Sequence, residues 1–124
     1  RVYKKKQTLS ELIRECMIFK KKSMEEEIVN ALEDVKGQNI VVFDTKKKSS
    51  FFDCVIIASG MSNRQNKALA KSVVERVKKY SNSVVGVEGL ESAEWVLIDC
   101  GDIVCHVMHP AVREYYDLEE LWGS

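Results

Sequence analysis

No apolar stretch in this sequence is long enough to cross a membrane. A membrane-spanning helix needs about 18–20 consecutive apolar residues, whereas the longest apolar runs here, such as Val55-Ile56-Ile57-Ala58, have the length of a strand. The basic N-terminus is not followed by the apolar segment of a secretory signal. These absences argue against a membrane or secreted protein, and we expect a cytoplasmic one.

The sequence also lacks the cysteine spacing of disulfide-rich domains and zinc sites. Its four cysteines include no C-x-x-C pair, and three lie within apolar runs, as buried free thiols do. Cys100, Cys105, His106 and His109 fall within ten positions, which raises a zinc hypothesis. However, Cys105 and His106 are neighbours on a predicted strand, so they point to opposite faces and cannot bind one ion together. We therefore expect no metal and no cofactor.

Signatures of catalysis are missing as well. The sequence has no G-x-S-x-G elbow, and the Gly60 loop lacks the lysine and the spacing of a P-loop. Asp99 and Asp102, the best pair of carboxylates for Mg²⁺, straddle a tight turn and do not share one strand face. We predict no catalytic residues. The alternative is a nucleotide-binding enzyme that combines the Gly60 loop with these two aspartates.

The zero net charge conceals an uneven distribution. Residues 1–22 carry eight basic and two acidic side chains, whereas residues 88–124 carry nine acidic side chains and only Arg113 as a base. An acidic surface repels nucleic-acid phosphate and attracts basic proteins. The C-terminal third therefore indicates a basic protein partner and not DNA.

The apolar patterns predict one α/β (α+β) domain with a mixed sheet of about five strands flanked by helices. The tight joint at Cys100-Gly101-Asp102 indicates an antiparallel hairpin. The predicted elements are a helix capped by Ser23, strands at 39–44 and 53–59, a helix from Ser62 or Asn63 to about Tyr80, strands at 84–87, 95–99 and 103–108, and one last helix beginning at Pro110.

Residues 1–22 are predicted to be a basic N-terminal extension of the main domain, which spans residues 23–124. Three interpretations stay open: a frayed or weakly docked helix, a basic arm that touches RNA, and a translation start at Met17 or Met24. The turn at 45–50 carries Lys46-Lys47-Lys48, and the sequence suggests no function for it.

Three blocks of the sequence resemble the ribosomal silencing factor (Iojap-like) family. Residues 52–65 contain an aspartate, four apolar residues and then the family's G-x-S-x-R segment. Residues 88–102 contain its E-G, A-x-W and D-x-G-D segments, and residues 104–122 contain V-x-H-V followed by R, Y-x-L-E and L-W. The match covers residues 23–124 in unbroken order, although Cys105 stands where the family more often has valine.

This resemblance implies a nucleotidyltransferase-like fold without catalysis. It also implies binding to the large ribosomal subunit through its protein fourteen, which blocks joining of the small subunit and represses translation under nutrient limitation. A homodimer and, as an alternative function, a role in ribosome assembly are implied too. Tryptophan, tyrosine and arginine are enriched at protein interfaces. The C-terminal segment contains all three residue types, so its composition agrees with partner binding. The predicted partner-binding residues are Trp95, His106, Met108, Arg113, Tyr116, Leu118, Glu119 and Trp122.

Overall fold

The computed structural model describes residues 8–81 and 84–123. Its elements are α1 (Leu9–Asp34), β1 (Gln38–Asp44), β2 (Cys54–Ser59), α2 (Asn63–Tyr80), β3 (Gly86–Glu88), β4 (Trp95–Asp99), β5 (Ile103–Met108), α3 (Pro110–Tyr116) and α4 (Leu118–Gly123). No described helix meets the length and apolarity that a membrane span requires.

The five strands form one sheet in the order β1-β2-β5-β4-β3. Strands β2 and β5 are parallel, and all other neighbouring strands are antiparallel. The mixed five-stranded sheet and the antiparallel β4–β5 hairpin are confirmed. The nucleotidyltransferase-like character stays a prediction.

Strand β2 lies at the centre of the packing, and all six of its residues are buried. Its alternate side chains belong to two separate apolar clusters. Ile56 and Ala58 pack with residues of α1 and α2, whereas Val55 and Ile57 pack with residues of α3 and α4. The unbroken apolar run of this strand therefore reflects burial on both faces of the sheet.

Two helix boundaries differ from the predicted ones. Ser23 lies inside α1 and does not cap it, because the preceding leucines, glutamates and lysines are good helix formers. Asp117 adopts a left-handed conformation with φ of 48° and divides the predicted last helix into α3 and α4. Aspartate tolerates this conformation better than most residues.

The proposed domain boundary at residue 22 falls within α1. Ile28 is the first described residue of this helix in the buried core, with Met24 packed against it. The expected Lys4-Lys5-Lys6 arm lies outside the described residues. We keep the division into residues 1–22 and 23–124 as a proposal.

The turn before β4 brings the backbone of Gly89 close to that of Trp95. The φ of Gly89 is +88°, and a Cβ added there would lie 2.1 Å from the carbonyl oxygen of Trp95. Gly101 has a similar φ of +83° but open space around it, so it is a matched control. We predict that Gly89→Ala lowers the free energy of unfolding by about 3 kcal/mol or more, since it adds a clash to backbone strain.

Gly101→Ala carries only the strain and is expected to cost about 1 kcal/mol. Urea denaturation of both variants measures the difference. Equal losses in the two variants would mean that the backbone contact with Trp95 is not a close one.

Candidate protein-docking face

The second face of the sheet is only half covered by helices. Leu118 of α4 and Trp122 near its end pack against Phe43 and Phe52, which lie in β1 and in the loop that follows it. Among the described residues, no helix covers Leu97, Val104 and His106 in the β4–β5 half of the same face, and these side chains are only partly buried. An uncovered apolar sheet face of this kind usually marks an interaction site.

We call this half the docking face and define it by Trp95, Leu97, Val104, His106 and Tyr116. Leu97 lies directly beside His106 across the β4–β5 pair, and Val104 lies two residues before His106 on the same side of β5. Tyr116 of α3 rests against Trp95, with their ring centroids 4.9 Å apart, and 55% of its surface is exposed.

Several hydrogen bonds position Trp95 at the start of β4. The buried Asn66 side chain donates from Nδ2 to the carbonyl oxygen of Ala93 (2.7 Å), and the amide of His109 donates to the carbonyl oxygen of Glu94 (2.8 Å). Two residues that immediately precede Trp95 are thus anchored to α2 and to the end of β5. The ring therefore enters the face from a well-determined backbone.

Trp95 and His106 form the polar centre of the docking face. Nε1 of Trp95 donates to Nδ1 of His106 over 3.0 Å, so this ring nitrogen must be unprotonated. Burial disfavours the charged imidazolium and lowers the pKa of His106 to about 4. The histidine is therefore neutral at physiological pH and presents no positive charge to a partner.

Acidic side chains border the docking face. Glu88 pairs with Leu97 across β3 and β4, and Asp99 pairs with Val104 across β4 and β5. Each therefore lies on the same side of the sheet as the apolar residue beside it. The arrangement is an apolar and aromatic floor with carboxylates along its flank, which suits a partner that combines apolar contact with basic side chains.

Arg113 and Glu119 connect the C-terminal helices to the sheet. The guanidinium of Arg113, only 8% exposed, donates from Nε to Glu119 (2.7 Å) and from Nη1 to the hydroxyl of Ser59 (2.9 Å). The contact ties α3 and α4 to each other and to the end of β2. In this structure Arg113 and Glu119 position the two helices. Contact of either residue with a partner stays a prediction.

The other six predicted site residues separate into three groups. Trp95, His106 and Tyr116 come together at the surface. Leu118 and Trp122 are partly buried against the second apolar cluster, and their contact with a partner also stays a prediction. Met108 is fully buried beside Trp95 across the β4–β5 pair, so its role in this structure is core packing, and its contact with a partner also stays a prediction.

Sequence reasoning missed two residues of the docking face, Leu97 and Val104. The sequence predicts only that both residues lie in strands. The two-residue period of a strand could have identified them, since Leu97 lies two positions from Trp95 and Val104 two positions from His106. Tyr115, 81% exposed, lies next to this face and touches Tyr116 edge-on at 5.1 Å.

The parts of the alternative nucleotide site lie at opposite ends of the sheet. The Gly60 loop follows the end of β2 that pairs with Met108, whereas Asp99 and Asp102 adjoin the end where Cys54 pairs with Ile103. A six-residue strand separates the two ends by roughly 15 Å. Within the loop, the amides of Met61 and Gln65 already bond to side chains of the same turn.

The cysteines and histidines that raised a zinc hypothesis face different directions. Cys105 belongs to the cluster under α1 and α2, whereas His106 contacts Trp95 on the other face, which confirms their predicted opposition. Burial raises the pKa of Cys54 to about 12 and that of Cys100 to about 11, so both thiols stay protonated. Among residues 8–81 and 84–123, no three His, Cys, Asp or Glu side chains converge as a metal site would require.

Known proteins resemble this chain over most of its length. The family model described as "Ribosomal silencing factor during starvation" (RsfS) matches residues 19–124. A ribosomal silencing factor of Chromobacterium violaceum is 57% identical over 96 residues, which cover 77% of this chain and 79% of the relative. A second, from Zymomonas mobilis, is 41% identical and covers 77% and 72%.

A solved structure shows the same fold. A crystal structure of a Chromobacterium violaceum protein superimposes with a TM-score of 0.81 at 52% identity, covering 83% of this chain and 86% of that one. The similarity therefore extends from the sequence motifs to the three-dimensional arrangement.

The lowered pKa of His106 predicts a specific dependence of stability on pH. Below pH 6.5 the unfolded chain takes up a proton at this residue, whereas the folded chain does so only near pH 4. The stability contributed by neutral His106 is therefore complete above pH 6.5 and is lost as the pH falls toward 4, by about 3 kcal/mol.

His106→Gln isolates this effect, because glutamine can accept the Trp95 hydrogen bond but does not titrate. The wild type and the variant have the same carboxylates, so the effect of carboxylate titration on stability cancels when the two free energies of unfolding are subtracted. We expect the free energy of unfolding of the wild type, relative to the variant, to rise between pH 4 and 6.5. A difference that stays constant over this range would show that His106 titrates normally in the folded protein.

Proposed function

Because this chain belongs to the family of ribosomal silencing factors, we propose that it binds the large ribosomal subunit through its docking face. The partner that we propose is protein fourteen of that subunit. By occupying space beside it, the bound domain keeps the small subunit from joining and represses translation when nutrients are limiting.

The observation that carries this proposal is the uncovered aromatic floor with its acidic border. Ribosomal proteins are mostly basic, and complementary charge speeds encounter and fixes the orientation of two partners. The Trp95–Tyr116 pair supplies the aromatic area that is typical of interface hot spots. Neutral His106 allows a cationic partner to approach without repulsion.

The mechanism requires no covalent step. A rigid domain attached to one subunit excludes the other by volume alone, so the degree of repression follows the fraction of subunits occupied. The hydrogen bonds around Trp95 and the Arg113 contacts keep the face in one arrangement before binding. Such preorganisation reduces the entropy lost on association.

The proposal predicts that the purified protein co-sediments with large subunits and lowers the yield of joined ribosomes. We expect the effect to saturate as the protein fills its sites, which a sucrose-gradient titration at fixed subunit concentration can measure. Normal subunit joining in the presence of saturating protein would refute the proposed function. Sedimentation of the free protein, run in parallel, tests whether it forms the predicted homodimer.

Tyr116→Ala tests the docking face directly. Tyr116 lies on the surface of α3, so its loss removes contact area without opening the core. We expect binding to large subunits to weaken by roughly 1–3 kcal/mol, with Tyr116→Phe close to the wild type because the ring is kept.

Leu90→Ala is a suitable control for this experiment. Leu90 is also an exposed apolar residue, 43% accessible, but it borders α2 on the opposite face of the sheet. The Leu90→Ala variant should bind large subunits as the wild type does. If both alanine variants bind as the wild type does and stay folded by circular dichroism, the docking face is assigned wrongly.

A further inference from the structure

The loop between β1 and β2 carries the most concentrated basic charge among the described residues with exposed side chains. Its tip, residues 45–52, contains Lys46, Lys47 and Lys48 and no acidic residue. All three lysines are exposed, and the Phe51 side chain beside them is 86% exposed. Because this ring lies outside the core, its whole face is available to a partner that also contacts the lysines.

This loop has a well-defined conformation. The buried Thr45 is its anchor: its hydroxyl donates to the carbonyl oxygen of Phe52 (3.1 Å), and its amide donates to the carbonyl oxygen of Asp53 (2.9 Å). Its own carbonyl oxygen accepts from the amides of Lys48 and Ser49. The lysines and Phe51 are therefore displayed by a closed turn and not by a loose strand connection.

The loop is attached to the same side of the sheet as the docking face. The Phe52 ring packs edge-on against Trp122 with centroids 5.3 Å apart, and Nζ of Lys48 donates to the carbonyl oxygen of Trp122 (2.9 Å). At the other flank, the amide of Asp53 donates to the carbonyl oxygen of Asp102, in the turn between β4 and β5. A partner seated on the docking face thus has this basic tip at its edge.

We propose that the tip of this loop binds the RNA of the large ribosomal subunit, with Lys46 and Lys47 against backbone phosphates and Phe51 stacked on an unpaired base. The inference rests on the proposed function, which brings the domain to a surface built of both protein and RNA. Lysine ammonium groups attract phosphate, and an exposed aromatic ring is a platform for any base.

RNA fits the composition of the tip better than other anionic partners do. A membrane surface is held by several apolar side chains together with basic ones, whereas Phe51 is the only exposed apolar residue of the tip. On the same side of the molecule, the acidic residues Glu88 and Asp99 lie on the flank of the docking face. Two oppositely charged regions on one side therefore match a junction between a basic protein and RNA.

The test compares a Lys46→Ala/Lys47→Ala double variant with a Lys78→Ala/Lys79→Ala control. The control removes two equally exposed lysines from the last turn of α2, away from this loop. Affinity for large subunits is measured at several salt concentrations. We expect the loop variant to bind roughly tenfold more weakly at moderate salt, and its plot of log affinity against log salt to be flatter by about 1.4–1.8, the loss of two phosphate contacts.

Phe51→Ala is expected to weaken binding by roughly 5- to 100-fold with no change in the salt slope, and Phe51→Trp to preserve it. Binding of the loop variants to isolated protein fourteen should equal that of the wild type. If large-subunit binding is normal for the loop variants, with the slope of the control, the RNA proposal is overturned while the proposed function stands.

A second experiment distinguishes failure of the proposed function from failure of the RNA proposal. Should the wild type not bind large subunits at all, the proposed function fails, and the loop is judged on a fluorescent single-stranded RNA of about 12 nucleotides. Weaker binding by the loop variant than by the control supports the proposal. Equal binding, no binding, or lysine-dependent binding to anionic phospholipid vesicles with none to RNA overturns it.

Discussion

The buried contact of Arg113 with Ser59 and Glu119 determines which half of the sheet is left open. It joins α3 and α4 to the end of β2, so the apolar side chains of these helices settle over β1 and β2. The helices are too short to reach further: α3 has seven residues and α4 has six. The β4–β5 half is consequently exposed, and the surface that we assign to partner binding is what these helices do not cover.

Most strands could be predicted from the sequence because each is a short apolar run bounded by polar turns. Strands β4 and β5 agree with their predicted limits, and Ser62 caps α2 by accepting from the amide of Gln65. The ends of the helices were harder to predict from the sequence. A left-handed Asp117 has no strong sequence signal, since aspartate is also common at turns and helix caps where φ is negative.

The candidate site was only partly predictable for a related reason. Residue type identified Trp95, His106 and Tyr116, but type alone does not tell an exposed strand face from a covered one. Coverage depends on where α3 and α4 lie, and this depends on Arg113 and on the break at Asp117. For the same reason, residue type could not show that Met108, which is predicted to contact a partner, is fully buried.

The low pKa of His106 has a consequence for how repression could be controlled. A docking face with an ordinary histidine at its centre would gain positive charge as the pH falls and would then lose affinity for a basic partner. Here the imidazole stays uncharged down to about pH 4. Under the proposed function, occupancy of the ribosome would follow the amount of this protein in the cell, because protonation of His106 would not weaken the docking face at physiological pH.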